Sequence, residues 1–465
     1  MDRALVGAHK VLTESLGLIK GDALAILCDE RTEPAARVLL VEAESLSLHA
    51  SLRLVPIAAQ VEYSQTPQAP AHLAEREDFA DVRGVLTCFT DLSTTTRFRR
   101  DLVRLGTDRG RRLGHIPGLT VELLARVGEV DHRAMARVAE DLALALALGD
   151  RAELSTYVFD DGGQILETHT LTCRLGGLDR PPITSTGVIP LDTWGNIPGG
   201  ETFIAPLEDT AEGTFALNGS FRHHVLSAAA PLILTFANGR LRSIAGPEEE
   251  RQRLRALLAL RSDSPVDGDL QLAELGIGLN ESLTTLTGHS LLDEKCAGTA
   301  HIAVGDNSRY GGNLQSPLHE DLVTMRPSLQ VDGKPILSRG EVAFQSGQWR
   351  ESLADAVATA VFEDRSLVLA RTPILTYVDP SGRLCVRREV AAGRMCIYSI
   401  GTTEASRTLA SILSMIPPLP HAVRAGDLVS RAQQELSLDV GHVLAALAIL
   451  CRHRVLHGRN REPHP

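Results

Sequence analysis

Short apolar runs alternating with helical patterns open the chain. Residues 22–28, Asp-Ala-Leu-Ala-Ile-Leu-Cys, have the length and continuous apolarity of a strand buried on both faces of a parallel sheet. A helical period follows at 33–46, a second strand is predicted at 83–89, and a helix at 94–105. Thr94-Thr95-Thr96 offers hydroxyl caps for that helix start. The strongest helical period covers 131–148, where Asp131 can cap the first turn and Gly149 can end the last. This alternation predicts a small α/β domain with a parallel sheet over 1–150.

The pattern then changes. Strand-like runs at 165–175, 215–217, 232–236, 301–304 and 318–325 sit between turns rich in Gly, Pro, Asn and Asp. Asp161-Gly162, Asn218-Gly219, Asn238-Gly239 and Asp332-Gly333 are hairpin signals. One charged helix, 248–260, interrupts the strands. Residues 151–345 therefore read as a mainly antiparallel α+β domain. A third unit, 346–465, shows strand-like runs at 373–378 and 384–390 around Pro380-Ser381-Gly382, then a strand at 395–400. Helical stretches follow at 402–415, 427–435 and 440–450, a winged-helix-like plan with a polar tail after Leu456. The predicted fold class is α/β plus α+β, with that carboxyl-terminal unit appended.

A length of 465 residues exceeds what one core accommodates, which agrees with two or three domains. Hydrophobic residues at 43% and charged residues at 23% fit a globular chain and exclude a disordered one. No apolar run reaches the roughly 18–20 residues that span a bilayer. The start, MDRALVGAHKVL, lacks the apolar segment of a secretory signal. Seven cysteines (28, 88, 173, 296, 385, 396, 451) form no CxxC pair, which argues against a disulfide framework and a zinc knuckle. The expectation is a reduced, cytoplasmic protein without a membrane partner. A net charge of −11 disfavours nucleic acid as a partner.

The chemistry concentrates in 293–321. In His319-Glu320-Asp321, alternate strand residues face one side, so His319 and Asp321 point into one cavity. With His301 they make a nitrogen and oxygen set suited to a divalent transition metal. Glu201 follows Pro198-Gly199-Gly200, a turn whose backbone permits close approach to a ligand. Glu274 lies within the apolar, glycine-rich 273–278, where a carboxylate is costly to bury unless paired or bound to metal. Glu201, Glu274, His301, His319 and Asp321 are together enough for two ions, as in hydrolases that polarise a carbonyl and activate water. Tyr310 is either a donor to an oxyanion or a packed turn aromatic. Lys295 is either a substrate contact or a solvated charge. His223-His224 is not a joint chelator, because adjacent strand residues face opposite ways, and His169 reads as a surface residue.

Residues 10–340 resemble the aminopeptidase T family of metallopeptidases, the thermophilic leucyl aminopeptidase type. The likeness rests on Lys20-Gly21-Asp22, His115-Ile116-Pro117-Gly118, 196–206, 274–280, 293–305 and 316–321. The resemblance implies that Glu201, Glu274, His301, His319 and Asp321 bind two divalent ions (zinc, cobalt or manganese). It implies Glu274 as general base, Tyr310 as the catalytic tyrosine, a peptide substrate and a homodimer. The scaffold is also similar to that of 2,5-dihydroxypyridine dioxygenases, in which His301, His319 and Asp321 would hold a single Fe(II). The carboxyl-terminal unit, with Leu444, Leu447, Leu450, Val455 and Leu456, resembles PqqD-like winged-helix domains of peptide natural-product biosynthesis. Those bind a peptide as an added strand. The expectations are thus a metallo-aminopeptidase acting on a peptide in such biosynthesis, a mononuclear iron ring-cleaving dioxygenase, or a non-catalytic peptide-binding protein.

Overall fold

The computed structural model describes residues 2–66, 82–90, 92–106, 111–175, 180, 182–189, 193–259, 270–308, 310–316, 318–344, 368–371, 375–378, 384–391, 394–400, 403–416, 423–436, 443, 446, 447, 450 and 456–459.

Five parallel strands form the first sheet, in the order His49–Leu54, Ala23–Cys28, Gly84–Cys88, Arg112–His115, Thr193–Asn196. The apolar runs sit at its centre, as burial on two faces requires. Along Ala23–Cys28 the side chains divide by the period of two. Leu24, Ile26 and Cys28 join a core with the helices Asp2–Lys10, Glu33–Ser45 and Val121–Val127. Ala25 and Leu27 join Phe89, Phe98 and Leu102 on the other face. The fifth strand, Thr193–Asn196, lies outside the 1–150 segment to which the sequence pattern assigns this sheet.

Two antiparallel sheets follow. The eight-stranded one runs Arg240–Ala245, Leu232–Ala237, Glu212–Leu217, Ile165–Arg174, Arg151–Phe159, Ser328–Val331, Lys334–Ser338, Glu341–Val342. The seven-stranded one runs His224–Val225, Ser220–Phe221, His319–Met325, Thr299–Gly305, Leu272–Gly278, Glu201–Ile204, Ile183–Ser185. One core includes residues of both, among them Phe215, Leu234, Ile302 and Leu322, all fully buried. The helix His132–Leu148 lends it Leu142, Ala145 and Leu146. Asp131 caps that helix, accepting from the Ala134 amide at 2.9 Å.

Three of the four hairpin signals turn a hairpin. At Asn238-Gly239 and Asp332-Gly333 both residues have positive φ (49° and 75°, 50° and 75°), as a type I′ turn demands. Asp161-Gly162 lies between the paired Arg151–Phe159 and Ile165–Arg174. Asn218-Gly219 does something else: it carries the chain from the eight-stranded sheet into the seven-stranded one. Buried Asn218 donates to the Tyr157 carbonyl (2.8 Å) and accepts from the Met325 amide (2.7 Å) and Thr324 Oγ1 (3.0 Å). Asparagine is used there for its side-chain amide, not for a turn.

In the carboxyl-terminal segment, Leu375–Val378, Leu384–Ala391 and Arg394–Ile400 form an antiparallel sheet, and helices cover Thr403–Ser414 and Ala425–Leu436. The expected turn at 380–382 and most of the expected 440–450 helix lie outside the described residues. Leu456–Arg459, at the start of the expected polar tail, pairs as a strand with Val368–Arg371. Among the described residues no helix is long and apolar enough to cross a membrane.

Candidate metal centre

Four adjacent strands of the seven-stranded sheet deliver the side chains named from the sequence. Glu201 begins Glu201–Ile204, Glu274 lies in Leu272–Gly278, His301 in Thr299–Gly305, and His319 with Asp321 in His319–Met325. Register brings them level: Gly278 faces Glu201, Gly276 faces His301, and Ala303 lies between Glu274 and Asp321. The glycines leave room. A Cβ on Gly276 would stand 2.1 Å from the His301 ring. Gly200, at φ +130°, would meet the Asn280 Cβ at 2.4 Å, so only glycine admits the turn before Glu201.

All five residues converge. His301 Nε2 is 3.0 Å from Glu274 Oε1 and 3.8 Å from Glu201 Oε2. His319 Nε2 is 3.5 Å from Glu274 Oε2 and 3.3 Å from Asp321 Oδ1. Four of the five, joined by Glu294, form two overlapping groups with His301 in common, Glu274–His301–Asp321 and Glu201–Glu294–His301, each spanning no more than 4.8 Å.

Glu294, which the sequence pattern does not single out, and Lys295 complete the pocket. Both follow the short helix Ser290–Asp293, and Asp293 anchors that segment. Its carboxylate accepts from Ser220 Oγ (2.7 Å) and the Thr287 and Gly288 amides (2.8 and 2.7 Å). Of the two alternatives for Lys295, the solvated charge is overturned. The lysine is 0% exposed, with Nζ 2.8 Å from Glu201 Oε1 and hydrogen-bonded to Glu294. A charged triplet, Asp293-Glu294-Lys295, between apolar Leu291-Leu292 and Cys296-Ala297 is the signal that marks burial here. Glu320, by contrast, lies on the strand between His319 and Asp321, buried and paired with Arg222 at 2.8 Å; burial pushes its carboxyl up to about 7.

The electrostatics are those of a crowded acidic pocket. Burial raises the Glu274 carboxyl, against the hydrogen bond from His301. Burial and the charge of Glu201 hold Glu294 well above the usual range. Burial alone would raise Asp321, yet its bond with His319 holds it low. Burial opposes protonation of His319, but Asp321 outweighs it and lifts the imidazole to about 10. For Lys295, two carboxylates outweigh the cost of burying the ammonium and raise it.

This donor set fits a divalent metal. His319 Nδ1 donates to the Asp306 carbonyl at 2.6 Å, a bond that aims Nε2 inward and fixes the ring. Nε2 then faces Glu274 and Asp321, where only a second proton or a cation removes the clash of acceptors. Imidazole and carboxylate ligands suit zinc, manganese or ferrous iron alike. Tyr310 packs edge-on to Phe203 (centroids 5.2 Å apart) and tilted against His319 (5.3 Å). Its loop is held by Glu208, which accepts from Asn307 Nδ2 (3.1 Å), the Asn313 amide (2.8 Å) and Arg180.

No family model matches this chain, and no curated protein matches it in sequence. Solved structures do. The 2,5-dihydroxypyridine dioxygenase from Pseudomonas putida KT2440 aligns with a TM-score of 0.54 at 17% identity, over 74% of this chain and 97% of its own. Wild-type AmpT from Thermus thermophilus aligns with a TM-score of 0.52 at 17% identity, over 74% of this chain and 100% of its own. At such identity the likeness is one of fold. The chain has, at a distance, the fold of AmpT and of that dioxygenase over 74% of its length in each alignment.

Proposed function

We propose that the protein is a metal-dependent hydrolase of a peptide or amide bond, and at the finest level an aminopeptidase. The observation that carries this reading is Glu274, buried and within 3.0 and 3.5 Å of both imidazoles. His301, His319, Asp321 and Glu274 would hold the ion. A divalent cation there would supply Lewis acidity, polarising a scissile carbonyl and acidifying water. Glu274, its carboxyl raised by burial and in reach of both imidazoles, is suited to accept a proton from the attacking water and return it to the leaving amine. Tyr310, beside His319, is the candidate donor to the developing oxyanion. The carboxyl-terminal segment would bind peptide as a winged-helix-like unit; the antiparallel strands Leu375–Val378, Leu384–Ala391 and Arg394–Ile400 and the helix Thr403–Ser414 are the observations behind that part.

The test is hydrolysis of aminoacyl anilides and short peptides, with elemental analysis before and after chelation. Activity should vanish on chelation and return with added divalent metal. A metal-free preparation that stays fully active overturns the proposal.

A second reading is a mononuclear iron dioxygenase. It is favoured by the ammonium of Lys295 on the Glu201 side, which leaves His301, His319 and Asp321, with Glu274 beside them, for a single ion. Oxygen consumption with a dihydroxypyridine and ferrous ion, without peptide hydrolysis, would select it.

A further inference from the structure

One half of the centre already contains a cation. Lys295 Nζ lies 2.8 Å from Glu201 Oε1 and bonds Glu294, so it sits on the same two carboxylates that the Glu201–Glu294–His301 group would offer an ion. Carboxylate oxygens ligate a transition metal at roughly 2.0–2.2 Å. An ion on Glu201 and Glu294 would therefore stand within a few ångströms of a fixed ammonium, in a buried pocket where like charges are poorly screened.

The ammonium is held in place. The Lys295 amide donates to the Leu292 carbonyl (3.1 Å), and its own carbonyl accepts from the Leu279 and Asn280 amides (3.1 and 2.8 Å). Its side chain is 0% exposed, so it has no direct route to water. The other half differs. Asp321 also bonds Glu294, but among the described residues the ion pairs of Glu274 and Asp321 are with imidazoles. The shared ligand His301 also leans that way, with Nε2 at 3.0 Å from Glu274 against 3.8 Å from Glu201.

We infer that Lys295 stands in for a second metal ion. The centre takes one divalent transition metal, on Glu274, His301, His319 and Asp321, while the lysine ammonium neutralises Glu201 and holds Glu294 by a hydrogen bond. The inference rests on the reading of this pocket as a metal centre. It adds that the protein works with one exchangeable cation and one covalently tethered one.

The experiment counts ions. Metal-free full-length protein is titrated with zinc or manganese alone, freed of excess, and measured by elemental analysis and native mass spectrometry. Wild-type protein should hold one ion per chain. Lys295→Ala, which removes the ammonium and opens space, should hold two, and Lys295→Arg, which keeps a cation, should hold one. Two ions in wild-type protein overturn the inference, whether or not any variant folds. One ion in a folded Lys295→Ala protein overturns it too. No ion in any preparation overturns it together with the proposed function. One ion in wild type, two in Lys295→Ala and no peptide hydrolysis supports the inference while removing the hydrolase.

Discussion

His319 and Asp321 lie on one strand with a single residue between them, and that spacing brings Nε2 to 3.3 Å from Oδ1. The pleat alone makes the pair, and the neighbouring strands add Glu274 and His301.

Removing one member of this set should empty it. Asp321→Asn keeps the volume but loses the charge, and His319→Ala loses the nitrogen. Each should weaken divalent metal affinity by about 100-fold or more, since perturbing even outer partners of a metal ligand costs about 10–100-fold. Isothermal titration of metal-free protein reads this directly. Affinity within about threefold of wild type would show that the two residues do not bind the ion.

Metal binding should be linked to pH through His319. Its folded-state imidazole is lifted to about 10 from an ordinary value of 6.5, because the bond to Asp321 outweighs burial. In the metal-free protein this stabilisation is fully present below pH 6.5 and fades as pH rises through about 10. An ion must displace that proton, so apparent affinity should climb on the order of tenfold per pH unit between about 7 and 9. Calorimetry in buffers of different ionisation enthalpy should count the released proton, and His319→Ala should abolish its release.

Glu208 should govern the loop that carries Tyr310. Burial would raise its carboxyl, but Arg180 and the Asn313 amide hold it down to about 2. Its share of stability is present above pH 4.5 and is lost as pH falls towards 2. Glu208→Gln should therefore flatten the acid limb of the stability curve and cost about 1–3 kcal/mol at pH 7. Denaturant melts at stepped pH measure both effects. A variant with an unchanged acid limb would free the loop from this anchor.

Gly276→Ala should disable the site without replacing a candidate ligand. The added methyl would lie 2.1 Å from the His301 ring, so the imidazole or the strand must move. Overpacking of this kind costs about 1–3 kcal/mol. The variant should melt earlier and bind metal at least tenfold more weakly. Wild-type affinity in Gly276→Ala would mean that His301 is not needed in its observed place.

Much of this was readable in the chain because its signals are local. The apolar runs at 23–28 and 84–88 became central strands, and the two type I′ turns followed from dipeptides that tolerate positive φ. The strand His49–Leu54 lies at the sheet edge, half exposed, so its sequence HASLRL carries no continuous apolar signal. Arg112–His115 is four residues long with a glycine inside. Lys295 was unreadable for a different reason. Whether a lysine is solvated or buried depends on its partners, and Glu201 comes from a distant strand that only the fold brings near.

The chain that completes the parallel sheet at Thr193–Asn196 runs through one turn into Glu201. Any tug on that edge is transmitted along a few peptide units to a carboxylate of the pocket. Loosening the amino-terminal sheet should thus disturb Glu201 before global melting, and cleaving at 150 would strip the sheet of its border strand rather than release a self-sufficient piece.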